Sequence, residues 1–497
     1  MIETALVYLP NNFIGLTLLG LAFILGLTLI FYVKKSEWII YLLLVWFPFE
    51  SLVLMYTPIR YFSYVKYIPE IIMYGLVIAS FISFIRRKKK ILSRQPLNKW
   101  IIGFVVISFI SLLFNWYSPV VWTLGMRQIL RFVLLLFVIV WMEYDEKVLK
   151  HIMIWGISMI GLEAILGLVQ YASNGRLDQY LFSTRTVTVG NAAIVGGLEQ
   201  FWTVGSRVFA TMGRYDRLGS FIALGLIMAF PYAYHLKKNI HKVSFAILGL
   251  CSAFVLGLTY SRASWIACGV GVFVIGIILL KDKRVWIAFG VGFSVLALYL
   301  IGFAIAKDNL MSITEKPTQT IAERVVEAFS LKAWRESYEG FGRIFFIINT
   351  PRVVVWNYPF FGVGPGQYGG GAAAALINTD MYDRLHLPFG IQNTYGQIDN
   401  NWLSMWGEVG TIGLVIWIGL FVAIIRLSHD VWLRSQHEFD KLTALGLIGL
   451  TCGIMSMGFF GPYFEFRSLM FYYWTIVGIV ALQWYRLKKV GNMLEGD

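Results

Sequence analysis

Long apolar runs recur along almost the whole chain of 497 residues. Each run is about 20 residues long, which is the length that an α-helix needs to cross a bilayer. Hydrophobic residues make up 58% of the sequence and charged residues only 14%, whereas a soluble domain has about 25% charged residues. Backbone polar groups within a bilayer must be satisfied inside the segment, so such runs form helices. The sequence therefore predicts an all-α, polytopic transmembrane helical bundle.

About thirteen spans fit the apolar pattern, within a range of roughly twelve to fourteen. Their ranges are 13–33, 38–56, 67–85, 100–114, 124–142, 148–171, 217–236, 243–260, 263–280, 285–306, 402–425, 443–460 and 467–485. Clusters of lysine and arginine fall on one side, which the positive-inside rule assigns to the cytoplasm. These clusters are Lys34–Lys35, Arg86–Lys90, Lys237–Lys238, Lys281–Arg284 and Arg486–Lys489. A multi-pass protein of the cytoplasmic membrane is expected, with its amino terminus outside and its carboxyl terminus inside.

This topology divides the chain into helical blocks and outer loops. The divisions are the N-terminal helices at 1–171, a first outer loop at 172–216, the central helices at 217–306, a large outer loop at 307–401, and the C-terminal helices and tail at 402–497. Loops longer than about 15 residues are usually functional or disordered. The large loop predicts an amphipathic helix over Thr320–Tyr338, an apolar stretch over Ile344–Trp356 and a turn-rich segment over Phe361–Gly371.

The formal net charge of +14 does not indicate a nucleic-acid partner, because cations at cytoplasmic helix ends are typical of membrane proteins. Cys251, Cys268 and Cys452 all lie in apolar runs. They predict neither a disulfide framework nor a metal site. The sequence indicates no metal and no cofactor.

The predicted outer side is rich in arginine and poor in lysine. Its arginines are Arg127, Arg131, Arg176, Arg185, Arg207, Arg214, Arg217, Arg262, Arg324, Arg335, Arg343, Arg352, Arg384 and Arg467. The planar guanidinium group binds phosphate oxygens in a bidentate manner. Single arginines can instead snorkel towards lipid headgroups, and Asp216 can pair locally with Arg214 or Arg217. As a set, the arginines favour a phosphorylated lipid ligand.

Two residues are candidates for a general base on the outer side. Asp399 lies at the membrane surface, immediately before the apolar run that Trp402 opens, and His386 is the only histidine predicted to lie outside. Glu163 and Glu408 lie within apolar surroundings, where an acid is a functional candidate by default. A hydrogen bond to a neighbouring helix is the simpler interpretation of Glu163. A helix-dipole interaction is the simpler interpretation of Glu70, which follows Pro69.

Four stretches resemble motifs of one family of bacterial membrane glycosyltransferases. They are RVFATMGRYDRLGSFIALGLIMAFP at Arg207–Pro231, LTYSRASW at Leu258–Trp265, the segment from Gly342 that ends in NYPFFGVGPGQY at Tyr368, and QIDNNWLSMWGEVGTIGL at Gln397–Leu414. Together they resemble, in order and over residues 207–413, the O-antigen ligase and polymerase superfamily. In the fourth stretch, the residues on the family pattern are Asp399, Asn400, Leu403, Glu408, Gly410 and Gly413.

Two departures from the family pattern favour its polymerase-like branch. Asp399 stands where the ligases carry histidine, and Arg214-Tyr215-Asp216 replaces an asparagine-proline turn. The resemblance implies transfer of a glycan from undecaprenyl pyrophosphate to an acceptor hydroxyl at the outer face. Neither a nucleotide sugar nor a metal is implied, and the anomeric centre is expected to invert. The undecaprenyl-pyrophosphate-linked glycan is both donor and acceptor in this scheme, and membrane lipids and a chain-length regulator protein are the other expected partners.

The resemblance also implies roles for individual residues. Asp399 is the expected base, with His386 as the alternative. The expected ligands of the donor pyrophosphate are Arg207, Arg214, Arg262 and Arg343, with Arg217 and Arg352 in reserve. The expected supporting or sugar-binding residues are Ser261, Tyr368, Asn400 and Glu408. Glu408 is expected to hold an arginine or a helix end.

Other activities stay open at this point. Within the family they are ligation to a lipid core and transfer to protein. A transporter or flippase of lipid-linked sugars is the alternative from another class. Alternating access is often built on inverted repeats, and no internal repeat is evident in this sequence.

Overall fold

The computed structural model describes residues 35–86, 95–181, 187–189, 192–195, 207–235, 239–306 and 320–494. Five parts of the sequence predictions lie outside these ranges: the span at 13–33, the basic residues at 34, at 87–90 and at 237–238, and Arg185.

Helices dominate the described chain. The N-terminal elements are α1 (Glu37–Tyr56), α2 (Ile59–Arg86), α3 (Asn98–Asn115), α4 (Pro119–Leu130), α5 (Leu134–Met142), α6 (Glu146–Ala172) and α7 (Asp178–Leu181). They are followed by β1 (Val187–Val189) and β2 (Ala192–Val195), an antiparallel pair in the first outer loop. The central helices are α8 (Tyr215–His235), α9 (Asn239–Leu258), α10 (Arg262–Phe273, continued by a π-helix at Val274–Leu279) and α11 (Lys283–Ala306).

The large outer loop and the C-terminal part are also helical. The loop contains α12 (Ile321–Val326), a 3₁₀ turn (Glu327–Phe329), α13 (Leu331–Glu339), α14 (Arg343–Asn349, continued by a π-helix at Thr350–Val355), α15 (Gly371–Leu376), α16 (Asp380–Arg384) and a 3₁₀ turn (Ile391–Asn393). The remaining elements are α17 (Asn401–Arg434), α18 (Glu438–Met457), a 3₁₀ turn (Tyr463–Glu465) and α19 (Arg467–Leu494).

The prediction of an all-α, multi-pass membrane protein is confirmed. Nine helices of the described chain are long and apolar enough to cross a membrane, or ten if one bent pair is a single span. Every predicted span within the described residues is helical, including 243–260 in α9 and 467–485 in α19. These two helices are not among the nine, and a shorter apolar segment of α9 is found at Ala246–Leu258.

The centre of the bundle is formed by α8, α18 and α19, and α11 lies at its edge. Two-thirds of the apolar window of α18 (67%) is buried inside the protein, and none of that of α11 (0%) is. Glycine permits the close approach of α18 to α10. A Cβ atom on Gly449 would lie 2.5 Å from the side chain of Ile275, so only a residue without a side chain fits there.

The predicted span at 124–142 is broken rather than continuous. α4 and α5 meet at an angle of 59°, and residues 131–133 form the turn between them. Arg131 lies in this turn, where its Nη2 donates a hydrogen bond of 3.0 Å to the carbonyl oxygen of Glu465. The break therefore brings a charged side chain into the bundle.

The amphipathic helix predicted over Thr320–Tyr338 is two helices. The side chains of Thr320 and Glu323 form a capping box at the start of α12. Ser330 caps α13 by accepting a hydrogen bond from the backbone nitrogen of Ala333, and this second cap divides the segment.

The turn-rich segment Phe361–Gly371 docks on a break in α17. Gly410 has φ 67° and ψ −174° inside that helix, so the carbonyls before it are free to accept other bonds. Those of Gly407 and Glu408 accept from the backbone nitrogens of Val363 (2.9 Å) and Gly364 (2.8 Å). The left-handed φ favours glycine at 410, which explains this position of the fourth motif.

Candidate functional site

Asp399 and Arg343 form the most exposed contact of the site. The Nε of Arg343 donates to the backbone oxygen of Asp399 (3.1 Å) and its Nη2 to that of Phe460 (2.8 Å). The same Nη2 lies 3.8 Å from Oδ2 of Asp399. The Asp399 side chain is 46% exposed, and its carboxylate lies beside a cation that backbone oxygens hold in place.

Asn400 fixes the backbone that carries Asp399. Its side-chain oxygen accepts from the backbone nitrogen of Leu403 (3.1 Å) and so caps α17. Its Nδ2 donates to the carbonyl oxygen of Phe459 (3.2 Å). Asn400 is 4% exposed, so it supports the site from within instead of presenting its amide to a sugar.

Arg214, which precedes α8, pairs with Asp216 and interacts electrostatically with Asp399. It binds Asp216 in a bidentate manner, with distances of 3.1 Å from Nε and 2.8 Å from Nη2. The ion pair between Arg214 and Asp216, which was one of the alternatives considered from the sequence, is therefore present. Asp216 is the main cause that raises the pKa of the Arg214 guanidinium, and Asp399 adds to the effect. Asp399 thus lies within electrostatic range of Arg214 as well as of Arg343.

Arg207 is buried nearby and is not fully hydrogen-bonded. It is 3% exposed, and its guanidinium stacks over the Tyr215 ring with 4.4 Å to the centroid. Its Nη1 has no hydrogen-bond partner among the described residues. An unsatisfied buried donor is costly, and a phosphate oxygen would satisfy it. We refer to Arg207, Arg214, Asp216, Arg343 and Asp399 as the Asp399 cluster.

The segment that carries Arg207 and Arg214 is anchored from inside the membrane by α6. Glu163 accepts from both the backbone nitrogen (3.2 Å) and the hydroxyl of Thr211. Gln170 Oε1 accepts from the backbone nitrogens of Phe209 (3.0 Å) and Ala210 (2.8 Å). Glu163 therefore bonds to this segment and not, as the sequence favoured, to a neighbouring helix.

Arg262 is tied to the large outer loop. Its Nη1 donates to the carbonyl oxygen of Arg324 (3.1 Å), and its Nη2 donates to Glu327 (3.2 Å). Glu327 also accepts from Arg324 Nη1 (3.1 Å). One carboxylate thus holds two arginines, which links the start of α10 to α12. Glu327 was not among the residues predicted from the sequence, although its i,i+3 spacing from Arg324 is the signal of such a pair.

Tyr463 lies beside Ser261, the residue before α10, and it was not predicted from the sequence either. Its hydroxyl is 3.4 Å from Ser261 Oγ, which in turn is 2.8 Å from Ser264 Oγ. Burial raises the pKa of Tyr463, the Asp216 charge raises it further and Arg343 opposes them. Ser261 is therefore a buried partner of Tyr463. A single tyrosine near the end of a span gives no sequence signal of a contact with a serine that is far away in the chain.

Tyr368 and Glu408 lie below the site and hold the docked loop. Tyr368 is fully buried, with its hydroxyl 2.8 Å from that of Thr350 and its ring stacked on Tyr382. Glu408 accepts from the backbone nitrogen of Gly366 (2.9 Å). The expectation that Glu408 holds an arginine or a helix end is wrong, because its partner is the glycine-rich loop. In this arrangement Tyr368 presents no hydroxyl to a sugar.

The structure does not bring the remaining candidates to Asp399. Arg217 donates from Nη1 to Ser51 (3.3 Å) and lies over the ring of Phe466. Arg352 and His386 are exposed. His386 has a left-handed φ of 52° in the turn after α16. No described contact joins the side chain of either residue to the Asp399 cluster.

A second group of arginines surrounds Glu70. Its carboxylate is 3.0 Å from Arg127 Nε, 3.1 Å from Arg131 Nη1 and 3.0 Å from Arg467 Nη1. Arg467 also pairs with Glu50 at 2.9 Å. We refer to these five residues as the Glu70 cluster. Ion pairing thus replaces both the snorkelling considered for Arg127 and Arg131 and the helix-dipole interpretation of Glu70.

The described residues contain no group of three or more His, Cys, Asp and Glu side chains that could hold a metal ion. Comparison with known families finds a match to the O-antigen ligase family over residues 247–418. That range includes Arg262, Arg343, Asp399 and the break at Gly410, and it ends before α18. No curated protein matches the sequence.

Proposed function

We propose that this chain, which belongs to the O-antigen ligase/polymerase superfamily of membrane enzymes, polymerises polyprenyl-pyrophosphate-linked oligosaccharide units at the outer face of the cytoplasmic membrane. The product class is O-antigen, capsule or exopolysaccharide. One observation carries the proposal: a half-exposed carboxylate, Asp399, lies 3.8 Å from the guanidinium group of Arg343 and within electrostatic range of Arg214. A base beside preorganised cations suits transfer from a pyrophosphate leaving group.

The chemical step needs a base for the acceptor and cations for the donor. Asp399 takes the proton of the acceptor hydroxyl as its oxygen attacks the anomeric carbon. The bond from that carbon to the pyrophosphate oxygen breaks, and polyprenyl pyrophosphate leaves with the electron pair. Attack from the face opposite the leaving group inverts the anomeric centre. General base catalysis contributes about 10²–10⁴-fold to such steps.

The donor pyrophosphate lies with Arg207, Arg214, Arg262 and Arg343 in this proposal. Its negative charge grows as the bond breaks, so fixed cations stabilise the transition state more than the ground state. The unsatisfied Nη1 of Arg207 offers a donor to a phosphate oxygen. Asp216 and Glu327 keep Arg214 and Arg262 in place until the ligand arrives. The polyprenyl chain stays in the bilayer beside the bundle.

Purified protein in detergent tests the proposal with one lipid-linked repeat unit as the only glycan. We expect a ladder of longer lipid-linked glycans. Transfer only when a core lipid is added would favour a ligase, and transfer only to an added acceptor protein would favour a protein O-oligosaccharyltransferase. Folded protein that leaves the glycan length unchanged under all three conditions would contradict the proposal and favour a transporter. Addition of a separately purified chain-length regulator protein should then change the length distribution and not the linkage.

A further inference from the structure

We propose that Glu465 is a positioning residue of the site: its carboxylate holds the segment 397–401 in the arrangement that places Asp399 beside Arg343. The inference rests on the proposed function, because it concerns how the base of that reaction is oriented. Glu465 lies in the 3₁₀ turn Tyr463–Glu465, within the loop 458–466 that joins α18 to α19. The family match ends at residue 418, so it does not include this loop.

The carboxylate of Glu465 accepts hydrogen bonds from three parts of the chain. Its Oε2 is 2.9 Å from Nε2 of Gln128 in α4 and 3.3 Å from Nε2 of Gln397. The backbone nitrogen of Gly371, at the start of α15, lies 3.1 Å from Oε1 and 3.0 Å from Oε2. All three partners are donors, so an ionised carboxylate, which only accepts, is the group that fits among them.

Two of these bonds act on the immediate surroundings of Asp399. Gln397 belongs to the segment 397–401 itself. Gly371 follows a run of glycines in which the backbone oxygen of Gly369 accepts from the backbone nitrogen of Ile398 (3.0 Å). A Cβ atom at position 371 would lie 2.4 Å from Oε2 of Glu465, so the absence of a side chain permits this close approach. Glu465 therefore holds the segment both directly and through the glycine run beside it.

The loop 458–466 also holds the other end of this segment. The backbone nitrogen of Asn401 donates to the carbonyl oxygen of Gly458 (2.8 Å). The side-chain oxygen of Asn401 accepts from the backbone nitrogen of Phe464 (2.8 Å). Gln397 and Asn401, two residues before and two residues after Asp399, are thus both bound to one loop. Fixing the base at both ends matters, because a misplacement of about 1 Å can lower a rate by 10²-fold.

The backbone of Glu465 is itself fixed by buried ion pairs. Arg131 donates from Nη2 to the carbonyl oxygen of Glu465 (3.0 Å) and pairs with Glu70 at 3.1 Å. Arg467, two residues after Glu465, also pairs with Glu70, at 3.0 Å. The carboxylate therefore extends from backbone that the bundle holds in place, and its bond to Gln397 fixes the segment relative to the bundle.

A double-mutant cycle between positions 465 and 397 tests this role in the purified full-length protein, with a lipid-linked repeat unit as substrate. Glu465→Gln introduces an amide among donors, and Gln397→Glu puts two carboxylates side by side. Each should lower kcat by about 10–100-fold and leave KM near the wild-type value, because the arginines remain. The double variant restores a carboxylate–amide pair with exchanged roles, so it should recover most of kcat.

Hydrogen exchange of the segment 397–401, measured by mass spectrometry without substrate, gives a readout that does not depend on turnover. Exchange should be faster in each single variant and should return to the wild-type rate in the double variant. The matched control is Gln128→Ala, which removes a bond to the same carboxylate from α4. It should keep the kcat and the exchange of 397–401 close to those of the wild type.

Gln397→Ala removes the bond from the other side and should lower kcat in the same way, so it decides the question if Glu465→Gln does not fold. Wild-type kcat and exchange in folded Glu465→Gln, or losses in the single variants that simply add in the double variant, would overturn the inference. An equal fall of kcat in Gln128→Ala would do so as well. The expected exchange pattern in a protein that transfers no glycan would retain the role of Glu465 in holding the segment and reject the proposed function.

Discussion

The Asp399 cluster and the Glu70 cluster contain the same kinds of side chain but differ in how the charges are arranged. Around Glu70, three arginines share one carboxylate, and that carboxylate is 1% exposed. Around Asp399, Arg343 is held mainly by backbone carbonyls, Arg214 is half exposed and the carboxylate itself is 46% exposed. The arginines of the Glu70 cluster pair with buried carboxylates, whereas the Asp399 cluster is partly exposed.

An arginine on the predicted outer side can therefore mark a ligand site or a structural ion pair, and its protein partner shows which of the two it is. Breaking a buried ion pair leaves an uncompensated charge and costs stability. Removing a cation that faces a substrate costs catalysis and little stability. Substitutions in the Glu70 cluster should therefore lower mainly the stability, and substitutions in the Asp399 cluster should lower mainly the catalytic rate.

The largest expected effect is on stability, from Glu70→Gln. Three arginines lose their common anion, so we expect the free energy of unfolding to fall by about 3–5 kcal/mol. Denaturation of the purified protein in detergent measures it. The matched control is Glu336→Gln, in an exposed pair with Lys332, which should change stability by less than about 0.5 kcal/mol. Equal stability of the Glu70 variant and the wild type would contradict the claim that the Glu70 cluster, unlike the Asp399 cluster, stabilises the fold.

Arg343→Ala should have the next largest effect, and on kinetics. We expect kcat/KM to fall by about 10²-fold or more, because a preorganised cation beside the reacting centre is lost. The melting temperature should change little. Arg343→Lys should restore only part of the activity, since lysine cannot donate to both Asp399 and Phe460 backbone oxygens through a planar fork. Full activity of Arg343→Ala would remove this residue from the site.

A direct comparison of Arg214→Ala with Arg127→Ala gives a smaller effect. For Arg214→Ala we expect about a tenfold rise in KM for the donor. In Arg127→Ala, Glu70 keeps Arg131 and Arg467, so KM should stay within about threefold while the melting temperature falls. Steady-state kinetics beside thermal melts measure both. The comparison fails if Arg127→Ala changes KM as much as Arg214→Ala does.

The smallest effect is expected from Glu163→Gln in α6. The Gln oxygen can still accept from the backbone nitrogen of Thr211, and its amide nitrogen can donate to the Thr211 hydroxyl oxygen. The two bonds lose their charge assistance, at a cost of about 0.5–1.5 kcal/mol. The segment with Arg207 and Arg214 should become less well positioned, which raises KM by a few-fold and leaves kcat largely unchanged. Glu163→Ala should do more. A stability loss with no change in KM would show that Glu163 supports the fold without positioning the arginines.

The sequence was sufficient to predict the membrane class, the helices and one part of the site. Periodic apolar runs determine the spans, and the fourth motif identified Asp399 together with Gly410, whose left-handed backbone explains why glycine is needed there. The Glu70 cluster was not predictable, because its members come from α1, α2, α4, the α4–α5 turn and α19, and no local pattern reveals which helices are neighbours. The same holds for Tyr463. The roles given to Tyr368 and Glu408 failed for a related reason: burial depends on how the outer loop docks on α17.

The most direct test of the account compares Asp399→Asn with His386→Ala in the purified polymerisation assay. Asp399 lies beside Arg343 and within range of Arg214, whereas His386 lies exposed in a separate turn. We predict that Asp399→Asn lowers kcat by about 10²–10⁴-fold while the melting temperature stays close to that of the wild type, and that His386→Ala keeps near wild-type turnover. Full turnover of Asp399→Asn together with an inactive, folded His386→Ala would contradict the account.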